Sequence, residues 1–548
     1  MRAPRPAPSG LVPTAVWSWL SLAVPAGARC FSDLGPWFVS LSFVGHVGAT
    51  PLAALSLTET WLYAWMSVAW DASAAAQSTL VSQAHGARSV RAIRGWSAMS
   101  AIASMCLAAA VALAWVVSRA GLDALGFDAA LTRAGAAYTA AALPVLFVEG
   151  VVNLTIATHL TALQFAAVPL AVGLCTLLVD AVLTYGLIFG IPGVVARLDD
   201  PLRGSARAWV IASVVAAALN AGALRSSWNR ELANEPPEGG MEWEGAALVR
   251  GEMGTSDSLN ARLVSGSDVD DDDKDTAAAA AAAAASAAST ATPATAAATS
   301  ITTWLTSREH WRAYLEQLVP NLFTFSLSCG QFACISFLAA SLGPAAIAAH
   351  NTSLCVFELL FSVAKGLGEA TSILVGSHLG RGDDDAARRT VRVAFSAAAV
   401  WGVAVGCAGF AWHSSIMTLF STDEAILAQC ASIAAVLWPG YAALCVGQVG
   451  LSVLEGQGRA TEQTGAYLIS MTVGVALAVA SSKCTRLGLA GLWGSLLLSY
   501  VLLDVCAVVC VARSNWEALK ALAHERSAGA DAGVGAGADA DVDLGTDG

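Results

Sequence analysis

Hydrophobic positions along the chain gather into about twelve long runs, with most charged residues in the gaps between them. In the first half the runs cover approximately 15–44, 51–82, 93–118, 134–157, 165–189 and 206–225. In the second half they cover approximately 314–341, 345–378, 391–413, 425–453, 464–482 and 488–512. A helix that crosses the hydrocarbon core needs about 20 mainly apolar residues, so each run predicts one spanning helix. Period-two alternation, the mark of a membrane barrel, is absent. Helices and closed barrels are the structures that satisfy their backbone polar groups in lipid. The pattern therefore predicts an all-α membrane protein of twelve transmembrane helices.

Two polar stretches interrupt the pattern. Residues 226–307 hold an acidic run, Asp268 to Asp275, followed by an alanine-rich tract, and residues 513–548 are rich in glycine, alanine and aspartate. Neither offers enough apolar surface for a core. The expectation is a disordered cytoplasmic linker at 226–307 between an N-terminal lobe (15–225) and a C-terminal lobe (308–512), with a disordered cytoplasmic tail at 513–548. At the start, Arg2 and Arg5 precede an apolar stretch that resembles a signal peptide, but the stretch runs on through Trp37 to Val44 and suits a first spanning helix better.

Composition agrees. Of 548 residues 56% are hydrophobic and 13% charged, against about a quarter charged in soluble domains. The net charge of -12 is carried largely by the linker and tail. No basic patch with interleaved aromatics is present, so nucleic acid is not an expected partner. The twelve cysteines are scattered without a CxxC or a Cys/His cluster, which predicts neither a disulfide framework nor a metal site. No HExxH, GxSxG or paired catalytic aspartates occur in the helices, so an enzyme is not expected. Arg88, Arg91, Arg94, Arg381, Arg388, Arg389, Arg392 and Arg459 fall in loops on one side of a twelve-helix arrangement. The excess of Lys and Arg marks that side as cytoplasmic and puts both termini there.

The two halves repeat. Leu52-Ala53-Ala54 opens helix two and Ile347-Ala348-Ala349 opens helix eight, a step of 295 residues (52 to 347). Pro144 and Pro439 show the same step, and Gly86-Ala87-Arg88 answers Gly380-Arg381-Gly382 at a step of 294 (86 to 380). Six helices per half keep both copies in one orientation, which predicts two parallel six-helix lobes related by a pseudo-twofold axis along the membrane normal. Such lobes hold substrate between them near the midplane and rock against each other.

Several ordered stretches carry a further resemblance: Phe43-Val44-Gly45-His46-Val47-Gly48 with Leu52-Ala53-Ala54; Ser82-Gln83-Ala84-His85-Gly86-Ala87; Ser372 to Asp383 with Ala386-Ala387-Arg388; Val453-Leu454-Glu455-Gly456-Gln457-Gly458-Arg459; and Gly488 to Trp493. The sequence resembles the multidrug and toxic compound extrusion (MATE) transporters over nearly all of its membrane part. The resemblance implies export of organic, often cationic, small molecules in exchange for protons or sodium ions, with an ion gradient in place of any cofactor. It also implies a lipid bilayer around a monomer, in the plasma membrane or a vacuolar or other organellar membrane. A related lipid-linked-sugar flippase and a non-transporting sensor are the alternatives. The sequence departs from the family pattern at the expected acids. Ser40 stands at the helix-one aspartate, Ser328 and Ala333 at the helix-seven acids, Leu444 or Cys445 at the helix-ten acid, and Leu374 at the helix-eight arginine.

Charges inside the apolar runs cost several kcal/mol and are functional candidates by default. Glu358, Lys365 and Glu369 share one face of helix eight, and Lys365 and Glu369 are spaced to neutralise each other. Arg29 and Asp33 form a similar pair in helix one, next to Pro36. Asp71 in helix two is the repeat-mate of Lys365, which predicts that the two face each other between the lobes. Glu149 follows Pro144, where a kink would open it to water, and its repeat-mate is Leu444. The candidates for transport and ion coupling are therefore Asp33, Asp71, Glu149, Glu358, Lys365 and Glu369. Asp180 and Asp504 read as hydrogen-bond partners between helices, and Glu59 and His350 as solvated residues near helix ends.

Overall fold

The computed structural model describes residues 14–193, 195–233, 301–302, 304–420 and 423–532. The N-terminal half is built from α1 (Thr14–Asp33), α2 (Gly35–Val47), α3 (Ala49–Gly86), α4 (Val90–Val116), α5 (Ser118–Ala124), α6 (Ala129–Ala142), α7 (Val145–Phe147), α8 (Leu154–Ala162), α9 (Ala167–Phe189) and α10 (Pro201–Ala233). The C-terminal half is built from α11 (Arg308–Ser341), α12 (Pro344–Arg381), α13 (Asp384–Ala411), α14 (His413–Met417), α15 (Glu424–Gly456), α16 (Ala460–Cys484), α17 (Gly488–Ala512) and α18 (Trp516–Ala532).

These elements make twelve crossing segments in two lobes. Ten of the described helices are long and apolar enough to span a bilayer. The other two crossings are α1 with α2, which a break divides, and α3, which is rich in alanine and hydroxyl residues. The break falls at Leu34, where Pro36 occupies the first turn of α2. Proline lacks an N–H and fits there, and its missing hydrogen bond favours a break from α1. The fourth crossing is also irregular. Pro144 separates α6 from α7, and a π-helical turn, Val148–Asn153, leads into α8. Helices extend past the apolar runs because capping, and not hydropathy, decides where they begin. Asp383 accepts from the Ala386 N–H at 2.8 Å and starts α13 at Asp384, ahead of the run at 391.

In the C-lobe α15 is central, packed against α12, α13 and α17, while α16 lies between α11 and α17. Its core holds Trp438, Tyr441, Trp493 and Leu496. In the N-lobe α3 is central, with α4, α6 and α8 around it, and α9 lies beside α1 and α2. The lobes meet where α1 and α3 pack on α12 and where α3 packs on α11. Gly27 and Gly366 bring α1 and α12 together backbone to backbone, since a Cβ on Gly366 would overlap Gly27.

The polar stretches need two corrections. The segment expected to be disordered from 226 to 307 contains the end of α10 and, at its far end, Trp304, which is buried. The Trp304 ring stacks on His310 at 3.8 Å and meets Trp96 edge-on at 5.0 Å. One large aromatic surface suffices to dock this end. Residues 234–300 lie outside the described residues. The tail expected to be disordered from 513 forms α18 over Trp516–Ala532. Trp516, Leu519 and Ala523 give it one apolar stripe at helical spacing, which joins the core formed by Val375, Leu379 and Val391. Lys520 Nζ stands 3.6 Å from Asp384, and the Arg388 guanidinium lies over the Trp516 ring at 5.4 Å. Residues 533–548 lie outside the described residues.

Candidate functional site

The seam between the lobes is charged at its middle. Lys365 Nζ on α12 donates to Asp71 Oδ1 on α3 at 2.8 Å. One turn further along α12, Glu369 accepts from Arg29 of α1, whose Nη2 bridges both carboxylate oxygens at 3.0 and 3.1 Å. Arg29 Nη1 also reaches Asp33 at 3.3 Å. Asp71 is 15 residues from the end of α3, a depth of about 22 Å at 1.5 Å per residue, so these charges do not lie at a membrane edge. They are nevertheless accessible, with side-chain exposures of 52% for Asp33, 38% for Lys365 and 29% for Asp71.

The pairing differs from the neutralisation within α12 that the i,i+4 spacing suggests. Lys365 pairs with Asp71 and Glu369 with Arg29, so both of these charges of α12 are matched by the other lobe. A partner across the seam approaches each side chain head-on, whereas an i,i+4 partner must bend along the helix surface. Glu358 lies two turns before Lys365 on the same face and is partly buried. On α3, Tyr63, Ser67 and Asp71 follow at intervals of four, and Tyr63 is 53% exposed.

Inside the N-lobe, Glu149 sits in the π-helical turn and accepts from Asn153 Nδ2 at 2.6 Å. Asn153 also donates to the Ser213 carbonyl at 3.0 Å and accepts from Asn220 at 3.2 Å. The π turn thus holds Glu149, partly buried, in a polar network between itself and α10. The proline break does not simply open it to water, because the wider turn aims the side chain at Asn153.

A second acidic group in the same lobe was not among the candidates. Tyr138 Oη donates to Glu59 Oε1 at 2.6 Å, while Glu59 Oε2 is buried without a partner. Asp180 of α9 is fully buried, with neither carboxylate oxygen hydrogen-bonded. Thr184 Oγ1, one turn on, is equally unpartnered. Glu59 was read as a solvated residue and Asp180 as a hydrogen-bond partner; the structure corrects both. The signal for Glu59 was its depth. It lies ten residues inside α3, about 15 Å from the start, between Leu55, Leu57, Trp61 and Leu62.

The C-lobe lacks acids at the helix-seven and helix-ten positions, and polar groups fill its interior differently. Gln331 Nε2 of α11 donates to Ser499 Oγ of α17 at 2.8 Å. Leu444 and Cys445 are buried. Asp504 of α17 turns toward α15, where a Cβ on Gly447 would overlap its Oδ1. His350, read as solvated, is buried and holds Ser336 Oγ at 2.9 Å.

At the end of the molecule where α3 and α12 terminate, the seam is shut. A Cβ on Gly86 would overlap the Ser377 carbonyl oxygen, and one on Gly380 would overlap the Gln83 carbonyl oxygen. Thr79 Oγ1 donates to the Glu455 carbonyl at 3.0 Å, and Gln83 Nε2 to the Gly456 carbonyl at 3.1 Å. The resembling motifs Ser82–Ala87, Ser372–Asp383 and Val453–Arg459 therefore meet in one place, as a backbone interlock between lobes.

This arrangement can be compared with known proteins. The sequence model of the MatE family matches residues 37–186 and 320–480, more than half of the chain and both lobes. The chain belongs to the MatE family. Among curated relatives it is similar to multidrug and toxin extrusion protein 1 of Mus musculus, 24% identical over 214 residues. That alignment covers 38% of this chain and 37% of the relative. A probable multidrug resistance protein NorM of Photorhabdus laumondii is 24% identical over 176 residues, 30% of this chain and 37% of that protein. The aligned part thus spans well under half of the curated relatives' length. Among solved structures, the eukaryotic MATE transporter AtDTX14 superposes with a TM-score of 0.71 at 18% identity, covering 94% of this chain and 99% of that one. A MOP superfamily transporter from Pyrococcus furiosus gives 0.68 at 16% identity, over 92% and 97%. The fold is that of the MATE transporters, twelve helices in two lobes, and the protein is a multi-pass membrane protein of that family. Within this MatE fold, the charges of the seam belong to α1, α3 and α12.

Proposed function

We propose that the protein exports organic small molecules across a bilayer by alternating access of its two lobes, driven by exchange with protons or sodium ions. The observation that carries this reading is the pair of ion bridges, Lys365–Asp71 and Arg29–Glu369, that join the lobes at mid-helix depth, the first of them accessible. Charges at such depth are costly and call for a role. On this reading Asp33, Asp71, Lys365 and Glu369 line the substrate path, and Glu358 extends it outward. Acids outnumber bases there, which favours an exporter of organic ions with cationic groups over a carrier of anionic lipid-linked sugars.

Ion coupling is assigned to the N-lobe. Glu59 and Asp180 present three buried carboxylate oxygens without partners. A proton taken up by either carboxylate, or a sodium ion held by Asp180 with Thr184, would satisfy those groups. Arg88, Arg91, Arg94, Arg381, Arg388 and Arg389 surround the interlocked end, so the positive-inside rule makes that end cytoplasmic. The conformation is then closed to the cytoplasm, with α18 lying on the cytoplasmic side.

Reconstitution tests this. The full chain is placed in liposomes, a proton or a sodium gradient is imposed, and a panel of fluorescent organic ions is followed. Flux that follows one gradient and is abolished by Asp180→Asn with Glu59→Gln is the expected result. No gradient-dependent flux under either ion would overturn the antiporter reading.

A further inference from the structure

The Lys365–Asp71 pair offers two opposite charges at one point of the seam, and this constrains what can bind there. Both residues are partly exposed, and their 2.8 Å contact closes the α3–α12 seam at that level. One turn away, Arg29, Glu369 and Asp33 repeat the alternation of signs. A solute that enters between α3 and α12 must part Lys365 from Asp71. A simple cation would then satisfy the Asp71 carboxylate and leave the Lys365 ammonium without a partner. A simple anion would do the reverse. Stranding one member of a partly desolvated ion pair is far more costly than exchanging both partners. A solute with an ammonium and a carboxylate close together exchanges both.

We propose that the Lys365–Asp71 pair is a two-signed docking site that selects zwitterionic organic solutes over organic monocations and monoanions. The solute ammonium takes Asp71 and its carboxylate takes Lys365, so each charge keeps one partner while the seam opens. Tyr63, two turns from Asp71 on the same face of α3 and 53% exposed, offers an aromatic surface to the apolar body of the solute. Glu358 does not compete for Lys365, because it lies seven residues away along α12. The inference rests on the exporter reading above and deepens it by naming the class of solute.

The test uses three probes of one shape: L-phenylalanine as zwitterion, phenethylamine as cation and 3-phenylpropionate as anion. Binding to the purified full chain and counterflow in liposomes are measured for each. The wild type is expected to favour the zwitterion at least tenfold over both others. Lys365→Met should lower zwitterion binding at least tenfold and raise that of phenethylamine. Asp71→Asn should lower it similarly and raise that of 3-phenylpropionate. The exchange variant Asp71→Lys with Lys365→Asp should restore the preference, which separates recognition from folding. A wild type that favours the cation, or single variants that reduce all three probes equally while the exchange variant restores nothing, would overturn the inference. Gradient-driven flux of phenethylamine with the zwitterion ignored overturns only this inference and leaves the exporter reading intact. Absence of flux for all three probes and for the fluorescent panel overturns both.

Discussion

Gly86 ends α3 and Gly380 lies in the last turn of α12, and each faces the other lobe's backbone so closely that a single methyl group would overlap a carbonyl oxygen. Gly380→Ala must push α12 away from Gln83, which loosens the interlock from the Thr79–Glu455 side as well. The expected outcome is loss of most transport and faster hydrogen exchange over residues 377–384. Gly465→Ala is the control. It meets no atom within 4 Å, and alanine in a helix is favoured by about 0.5–1 kcal/mol over glycine, so that variant should be unaffected or slightly stabilised.

The Arg29–Glu369 bridge is the more buried of the two, at 13% and 19% side-chain exposure. Arg29→Met strands Glu369 and Asp33 together, and should destabilise the protein by about 3 kcal/mol, the low end for breaking a buried pair. Adding Glu369→Met should recover part of that loss. A double-mutant cycle on thermal melting is expected to give a coupling of about 1–3 kcal/mol; additivity would show that the bridge holds nothing.

Asp180→Asn separates coupling from transport. Without an ionisable group at this position, uphill, gradient-driven movement should fall at least tenfold, while downhill counterflow of the same solute persists. Loss of both in equal measure would make Asp180 a structural residue only. Glu149→Gln keeps the Asn153 hydrogen bond and should have a smaller effect on the same two assays.

His413 lies in α14, between two spanning helices. Its Nε2 meets the Cys430 carbonyl at 2.9 Å, and its Nδ1 accepts from the Trp438 indole at 3.2 Å. Burial holds its pKa below the usual histidine value. The unfolded chain therefore binds this proton more readily, so the stability contributed by neutral His413 is complete above pH about 6.5 and is lost as pH falls through that value toward the lower folded pKa. Melting temperature in detergent should drop over that window. His413→Asn should be less stable at pH 8 and show a shallower drop.

A stop after Ser514 removes α18. Burial of Trp516 alone is worth about 1.5–3 kcal/mol, and Lys520–Asp384 and Arg388 over Trp516 are lost with it. The truncated chain should melt lower. A truncation that leaves melting unchanged would mean α18 is a loosely held appendage.

The spanning helices were legible because lipid imposes length and apolarity on them residue by residue; the run at 488–512 coincides with α17. The facing of Asp71 and Lys365 was legible as well, since the repeat step places equivalent residues at equivalent points of two lobes. The Glu59–Asp180 group was not. The depth of Glu59 can be counted along α3, but its enclosure by Tyr138 of α6 is set only by packing. The π turn at Val148–Asn153 escaped for a similar reason, because Pro144 announces a break but not the winding that follows. α18 escaped because its stripe of Trp516, Leu519 and Ala523 is too thin to raise local hydropathy and gains meaning only against Val375 and Val391.

Asp71 and Lys365 are equivalent positions of the two repeats, and they touch. Equivalent positions that touch must straddle the pseudo-twofold axis. In a symmetric dimer of two identical six-helix chains, this point would set aspartate against aspartate or lysine against lysine. The attraction that now holds the lobes together at that level is therefore available only to a fused chain, in which the two copies were free to diverge in sign.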